Sequence, residues 1–472
     1  MMNRTFLLAV LLLLLQTTGK AQEKQPNIIF ILADDLGYGD VGFNGQQFIL
    51  TPNIDRLAAE GIRFNQFYAG TTVCAPSRSA LMSGQHTGHT FIRGNLGVEP
   101  EGQYPIPDSL FTMAEALKQA GYTTGAFGKW GLGPVNSEGD PNRQGFDHFY
   151  GYNCQSLAHR YYPTHLWDND KKVVLEQNGD LLYNKQYAPD LIQQEALAFI
   201  DKNKDEPFFL FLPYILPHAE LLVPDDSIFQ SYKGKFPEEV FKGDDYGKDA
   251  RPSGYASQAY PHATFAAMVA RLDWYVGQIL DQLKTLGIDE QTLIVFSSDN
   301  GPHVEGGADP EFFNSGGGLR GFKRDLYEGG IRVPFAARWP SVIQPGQQND
   351  FIGAFWDLFP TFTALAGAEQ TQGVDGISIV NALTGKDTQK QHTYLYWEFH
   401  EQGGKQAVRY EQWKGIRLKA KEDPGGPIEL YDLSRDLQEQ QDVAAEHPEI
   451  VKVIAQFMEE ARTDSEIFPF DN

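Results

Sequence analysis

Residues 27–33, Asn-Ile-Ile-Phe-Ile-Leu-Ala, form an unbroken apolar run that ends at Asp34-Asp35-Leu36-Gly37. A run of that length without polar alternation reads as a strand buried on both faces, in the middle of a sheet covered by helices. The same unit recurs along the chain. Apolar strands are expected at 123–128, 208–215, 292–297 and 333–339, and amphipathic helices at 52–61, 109–121, 262–286 and 357–366. Strands alternating with helices build a mostly parallel sheet between helical layers. After Gly385 the texture changes. Four short segments, 393–399, 406–413, 415–420 and 428–433, alternate apolar and polar residues, and a helix begins near His447-Pro448-Glu449. They read as an antiparallel sheet closed by a helix. The expected organisation is a large α/β domain over 22–385, followed by a small α+β subdomain over 386–472.

Residues 1–21 stand apart. Met1-Met2-Asn3-Arg4 gives a basic start, 6–15 are nearly all apolar, and Gly19-Lys20-Ala21 ends in small residues. So short an apolar core is a signal peptide; a membrane span needs about 20 residues. Cleavage is expected after Ala21, and no Cys follows it to carry a lipid. The mature protein is therefore expected in the periplasm or outside the cell, with no stable membrane anchor. Its charge excludes other partners. Asp and Glu number 62 against 39 Lys and Arg, a net charge of −23, so no positive field exists to bind nucleic acid or an anionic membrane surface. An anionic substrate would have to be held by local cations and a metal. Two cysteines, Cys74 and Cys154, would meet an oxidising compartment, where one bridge between them is the plain reading. The sequence around Cys74 offers another.

In open α/β sheets, ligands bind beyond the carboxyl ends of the strands. Reading only those ends gives Asp34 and Asp35, then Lys129, then His218, then Asp299 with Asn300. Each has a bland alternative: Asp-Asp-Leu-Gly and Asp-Asn-Gly suit turns, Lys129 a solvated lysine, His218 a loop histidine. Taken together, three carboxylates and a carboxamide form an all-oxygen set that suits Ca²⁺ or Mg²⁺ better than zinc. The segment 72–84 adds a helix start at Pro76-Ser77. Cys74 falls at its positive end and Arg78 one turn on, both placed to meet an oxyanion.

Cys74-Ala75-Pro76-Ser77-Arg78 resembles the Cys-x-Pro-Ser-Arg signature of the formylglycine-dependent sulfatases, members of the alkaline-phosphatase-like superfamily. Asp34 to Gly37, Gly128-Lys129-Trp130, Ser298-Asp299-Asn300-Gly301 and Lys323 to Pro334 resemble further segments of that family, in family order. The resemblance implies an α/β/α sandwich with a C-terminal α+β subdomain, and hydrolysis of a sulfuric ester. It implies that a maturation enzyme converts Cys74 to formylglycine, whose hydrate is the nucleophile. By the same resemblance, Asp34, Asp35, residue 74, Asp299 and Asn300 hold one Ca²⁺. Arg78, Lys129 and Lys323 then meet the charge of nucleophile and sulfate, and His218 protonates the leaving oxygen.

One position departs from the family. A histidine usually follows Gly-Lys-Trp, and here Gly131 does. His86, His89 and His303 are the candidates for its proton-transfer role. Two other functions compete: a phosphatase or phosphonate-ester hydrolase of the same superfamily, and a non-catalytic sulfated-glycan binder with an unmodified Cys74. Substrate choice is expected in the segments 136–187 and 221–260. The aromatic and His/Arg-rich stretch from His159 to Trp167 reads either as ordinary loop packing or as a stacking surface for a sugar, the second being the one the substrate expectation uses. The expected substrate is a sulfated saccharide, galactose or N-acetylgalactosamine bearing a 4- or 6-sulfate.

Overall fold

The computed structural model describes residues 25–99, 101–369, 372–386 and 388–470; the leader read over 1–21 lies outside the described residues. Ten strands make the main sheet: β1 (Asn27–Asp34), β2 (Ile62–Tyr68), β3 (Thr123–Lys129), β4 (His148–Tyr152), β5 (His165–Asp168), β6 (Lys171–Val174), β7 (Phe208–Pro217), β8 (Thr292–Ser298), β9 (Phe335–Arg338) and β10 (Gln347–Ala354). Their order is β10-β2-β9-β8-β1-β7-β3-β4-β5-β6. Pairing from β8 through β1, β7 and β3 to β4 is parallel, while β9 and β5 run against their neighbours. The expected mostly parallel sheet is present.

Both faces of the sheet are covered, which is why its central strands show no polar alternation. Successive residues of β1 enter opposite cores. Ile29, Ile31 and Ala33 share one with Met268, Leu272 and Val276 of the helix Pro261–Leu286. Ile28, Phe30 and Leu32 share the other with Met113, Leu117, Leu358 and Phe362.

Three expectations change. The helix read from 109 runs Met113–Gln119, because the Thr112 hydroxyl accepts the Glu115 N–H while the Glu115 carboxylate accepts the Thr112 N–H. That capping box fixes the start and leaves Ser109 to Phe111 outside. The segment 136–187, in which the sequence predicts no strand, contributes β4, β5 and β6 to the sheet. The strand read over 406–413 breaks at Glu411, whose φ of +50° turns the chain between two strands.

Those two belong to a separate antiparallel sheet, β11 (Leu395–Phe399), β12 (Lys405–Tyr410), β13 (Trp413–Leu418) and β14 (Ile428–Asp432). Val408 and Leu430 meet Ile454 and Met458 of the helix Pro448–Glu460 on one face. Trp397, Phe399 and Ile416 pack on Tyr68, Val73 and Trp356 of the larger body on the other. Among the described residues, no helix is long and apolar enough to cross a membrane.

Candidate active site

Register gathers the polar residues. Ala33 pairs with Ser298 and Asp34 with Pro217, so β1, β7 and β8 end side by side. Asp34, Asp35, His218, Asp299 and Asn300 therefore meet at one rim, with Lys129 closing β3 beside them. The helix Cys74–Ser83 starts at Cys74 against the same rim, and Arg78 follows one turn on. Lys323 arrives from the loop before Leu326. All nine are buried.

Cys74 Sγ lies 3.2 Å from Asp34 Oδ1 and 4.0 Å from Asp35 Oδ1. Burial and the neighbouring Asp34 push its thiol pKa well up, so the unmodified side chain stays protonated. Cys154 lies elsewhere and both cysteines are free, so the bridge reading is not borne out.

Three cations face the rim carboxylates. Lys129 Nζ is 2.7 Å from Asp34 Oδ2 and Lys323 Nζ is 2.8 Å from Asp35 Oδ2. Arg78 donates through Nε and Nη2 to Asp299 Oδ2 at 3.1 and 2.8 Å, and through Nη1 to the Lys129 carbonyl. Arg78 is thus engaged by the frame, where the sequence had suggested a hand on the oxyanion. A fourth cation, Arg324, sits further out. Burial alone would raise the Asp34 pKa, but Lys129, Arg78 and Lys323 overcome it and hold the carboxyl well below its usual range. For Asp299, burial and repulsion from Asp34 prevail over Arg78 and push the pKa up to about 7.

Carboxylates crowded in this way are relieved by a divalent cation. Asn300 makes the same point from another atom. Its Nδ2 donates to Asp35 Oδ1 at 2.7 Å, while its Oδ1 is buried with no partner. A buried carbonyl oxygen without a donor costs free energy, and one lying beside three carboxylates fits a hard cation. Asp35 itself has a φ of +64°, a strained setting for a residue with a side chain. It is held there by its N–H on Asp299 Oδ1 at 3.1 Å and by Lys323 and Asn300 on its carboxylate.

His218 lies with its ring between His159 and His303, at centroid distances of 5.1 and 5.6 Å. Its Nδ1 donates to the Ala219 carbonyl, and Nε2 faces Asp35 Oδ2 at 3.4 Å. Burial first, then Lys323 and Lys129, lower its pKa well below the ordinary histidine value. The imidazole is neutral in the free site, with its lone pair on Nε2.

None of the three histidines proposed for Gly131 takes that place. His89 Nδ1 bonds Asp375 Oδ1 at 2.9 Å, and His86 stacks on His89, away from the rim. His303 uses both ring nitrogens on backbone, donating to Pro217 O and accepting from Glu305 N–H. A Cβ on Gly131 would instead meet Gln155 Nε2 at 3.5 Å. Gln155 donates to Asn95 Oδ1 at 3.2 Å, and Asn95 Oδ1 also accepts the Ala75 N–H. An amide pair fills the space next to Cys74 that the family gives to a ring.

Above the rim opens a cavity of about 210 Å³, based on His218 and Lys323 and walled by Asn95, Gln103, Gln155, His159, Tyr255 and Arg324. Of the stretch read as a stacking surface, only His159 reaches it. Tyr161 and Tyr162 pack on Tyr187, Arg160 pairs with buried Glu220, and Trp167 donates to Glu101. Sequence reasoning missed Asn95, Gln155 and Glu305, which lie in no motif, and passed over Arg324, which follows Lys323 in the segment Lys323 to Pro334. Glu305 stands 3.7 Å from Lys323 and pairs with Arg324. Burial would raise its pKa, but Lys323, His303 and Arg324 hold it at about 2.

A parallel sheet whose strands end together on a buried oxygen cluster, with a helix-start nucleophile position beside it, defines an alkaline-phosphatase-like hydrolase. Residues 26–368 match the family model described as Sulfatase, and residues 319–465 that described as N-sulphoglucosamine sulphohydrolase, C-terminal. The chain belongs to the sulfatase family and is a sulfuric ester hydrolase. It is 28% identical to an N-acetylgalactosamine-6-O-sulfatase of Bacteroides thetaiotaomicron over 95% of each chain. Human arylsulfatase A is 32% identical, over 94% of this chain and 89% of that one. Among solved structures, Ps i-CgsB in complex with k-i-k-neocarrahexaose superposes with a TM-score of 0.76 at 31% identity, over 93% of this chain and 92% of the other.

Proposed function

We propose that this sulfatase removes O-sulfate from a galactose-type sugar, galactose or N-acetylgalactosamine, at position 4 or 6, through formylglycine at residue 74. The observation that carries the reading is the setting of Cys74. Its Sγ meets the Asp34 carboxylate that Lys129 holds, at a helix start, on the rim whose His218 and Lys323 form the base of the cavity.

A maturation enzyme would convert Cys74 to the aldehyde. One hydroxyl of the hydrate then attacks sulfur and the sugar alkoxide leaves; the other hydroxyl expels sulfate and restores the aldehyde. Asp34, Asp35, Asp299, Asn300 and residue 74 would hold Ca²⁺, which supplies Lewis-acid charge at the sulfate. Lys129 and Lys323 meet the sulfate oxygens, and Arg78 keeps Asp299 in position. His218 gives the leaving oxygen its proton. Burial first, and then the two lysines, keep the free imidazole neutral; a bound sulfate offsets the lysines and so favours the protonated form when it is needed.

The sugar assignment is supported by likeness to an N-acetylgalactosamine-6-O-sulfatase along nearly the whole chain and by a cavity rich in amide donors and acceptors. The same reading takes 22–385 as the catalytic domain, 386–472 as its subdomain, and 1–21 as a leader for export. Sulfate release from N-acetylgalactosamine 6-sulfate, measured beside phosphate release from the matching phosphate ester, tests it. Sulfate alone should appear. Phosphate release at an equal rate would favour the phosphatase reading instead.

A further inference from the structure

We propose that Arg324 reads a second negative charge on the sugar, so that the preferred substrates carry a further sulfate or a carboxylate near the scissile ester. This rests on the carbohydrate-sulfatase reading and specifies its substrate.

The cavity wall departs from the rest of the molecule. The chain carries a net charge of −23, yet no carboxylate lines the cavity among the described residues, and its only formal charges are Lys323 and Arg324. Lys323 lies at the base and is engaged by Asp35 and Glu305 at 2.8 and 3.7 Å. Arg324 lies on the wall with its side chain 34% exposed. Its Nη1 donates to Glu305 Oε1, and among the described residues Nε and Nη2 have no partner. A planar guanidinium with two donors still open matches the paired oxygens of a carboxylate or a sulfate ester.

Its backbone is fixed for that task. Arg324 has a φ of +79°, a conformation that a residue with a side chain holds only when its surroundings enforce it. Its N–H donates to Thr72 O at 3.1 Å, two residues before Cys74. Its carbonyl accepts from Lys405 Nζ at 2.7 Å, and Lys405 also bonds Asp325 Oδ1 at 3.0 Å. Lys405 belongs to β12, so the C-terminal sheet sets the direction of the Arg324 side chain. Lys405 is a positioning residue; Arg324 is the contact.

Matured full-length enzyme would be assayed on N-acetylgalactosamine 6-sulfate, N-acetylgalactosamine 4,6-disulfate, and a uronate-linked disaccharide of the 6-sulfate. The aryl substrate 4-methylumbelliferyl sulfate reports whether the sulfatase chemistry is working. At least one doubly charged probe should exceed the singly charged one by ~10-fold or more in kcat/KM, through KM, as befits a charge-assisted contact. Whichever probe shows the preference identifies the second anion as sulfate or carboxylate. R324Q should bring that ratio near unity, R324K should keep part of it, and K405M should lower it. A wild-type enzyme without the preference, or a preference that R324Q leaves intact, would overturn the proposal. If R324Q does not fold, the wild-type ratio still decides. Turnover of the aryl sulfate with none of any saccharide would overturn the carbohydrate reading, and this inference with it. No turnover of any probe would instead indict the sulfatase chemistry.

Discussion

Lys129 reaches across β7 to place its ammonium 2.7 Å from Asp34 Oδ2. The cation proposed to meet the sulfate therefore also neutralises a proposed metal ligand. Lys129→Met should leave Asp34 buried without its nearest cation, and removing one partner of a buried pair costs ~3–5 kcal/mol. Turnover should be lost. The fall in Tm should be largest in chelator and smaller with saturating Ca²⁺, which takes over part of the charge.

Metal removal should act on stability and activity together. Asp34 and Asp35 converge with Cys74 and His218, and Asp299 and Asn300, with its unpartnered Oδ1, lie against Asp35, so chelation should lower Tm by differential scanning fluorimetry and abolish sulfate release. At a free ion concentration ~100-fold above Kd, a cation that binds only the folded state adds ~2.7 kcal/mol. Ca²⁺ should restore both readouts. Restoration by Zn²⁺ and not by Ca²⁺ would contradict the oxygen-donor assignment.

His218→Ala separates leaving groups. A sugar alkoxide needs a proton as it departs, and an activated phenolate does not. The variant should lose far more kcat on a sulfated sugar than on 4-methylumbelliferyl sulfate. Equal losses on both would mean that His218 serves position rather than proton transfer.

Acid should loosen the join between the two sheets' bodies at Glu398. This buried carboxylate receives Arg93 Nη1 at 3.2 Å, His400 Nε2 at 2.8 Å, Arg462 Nε at 3.3 Å and the Tyr396 hydroxyl at 2.8 Å. Burial would raise its pKa, but His400, Arg93 and Arg462 lower it to about 2, from 4.5 for a free glutamate. A depressed carboxylate contributes stability that is fully present above pH 4.5 and is lost as pH falls through about 2. The shift corresponds to ~3 kcal/mol. Denaturant melts should show Glu398→Gln less stable than wild type at pH 7, with the gap closing below pH 4. A gap that stays constant with pH would contradict the charge account.

Much of this site is visible in the amino-acid sequence, for a physical reason. β1, β7 and β8 are buried on both faces, so each is a continuous apolar run, and the charged or ionisable residue that follows it marks the rim. Asp34, His218 and Asp299 stand out on that ground alone, before any likeness to a family. The short strands β5 and β6 at the sheet's end do not; four residues each, with Leu166 alone buried among them, give no period to read. Neither do Asn95, Gln155 and Glu305, which are common loop residues brought to the site only by tertiary packing; Arg324 follows Lys323 in sequence, but nothing in the chain shows that it lines the cavity. Tyr161 and Tyr162 show the converse error. Aromatics beside His159 suggested a binding surface, yet they fill the core under Tyr187. At Gly131 the sequence shows that a ring is missing, and only the structure shows that Gln155 lies in its place.

The state of residue 74 bears most directly on the central claim, and mass spectrometry of the peptide that contains it, from a preparation active on a sulfate ester, reads that state. The account predicts an aldehyde or its hydrate at residue 74 and a free thiol at Cys154. An unmodified thiol at residue 74, or a Cys74–Cys154 disulfide, as the sole form in an active preparation would contradict it.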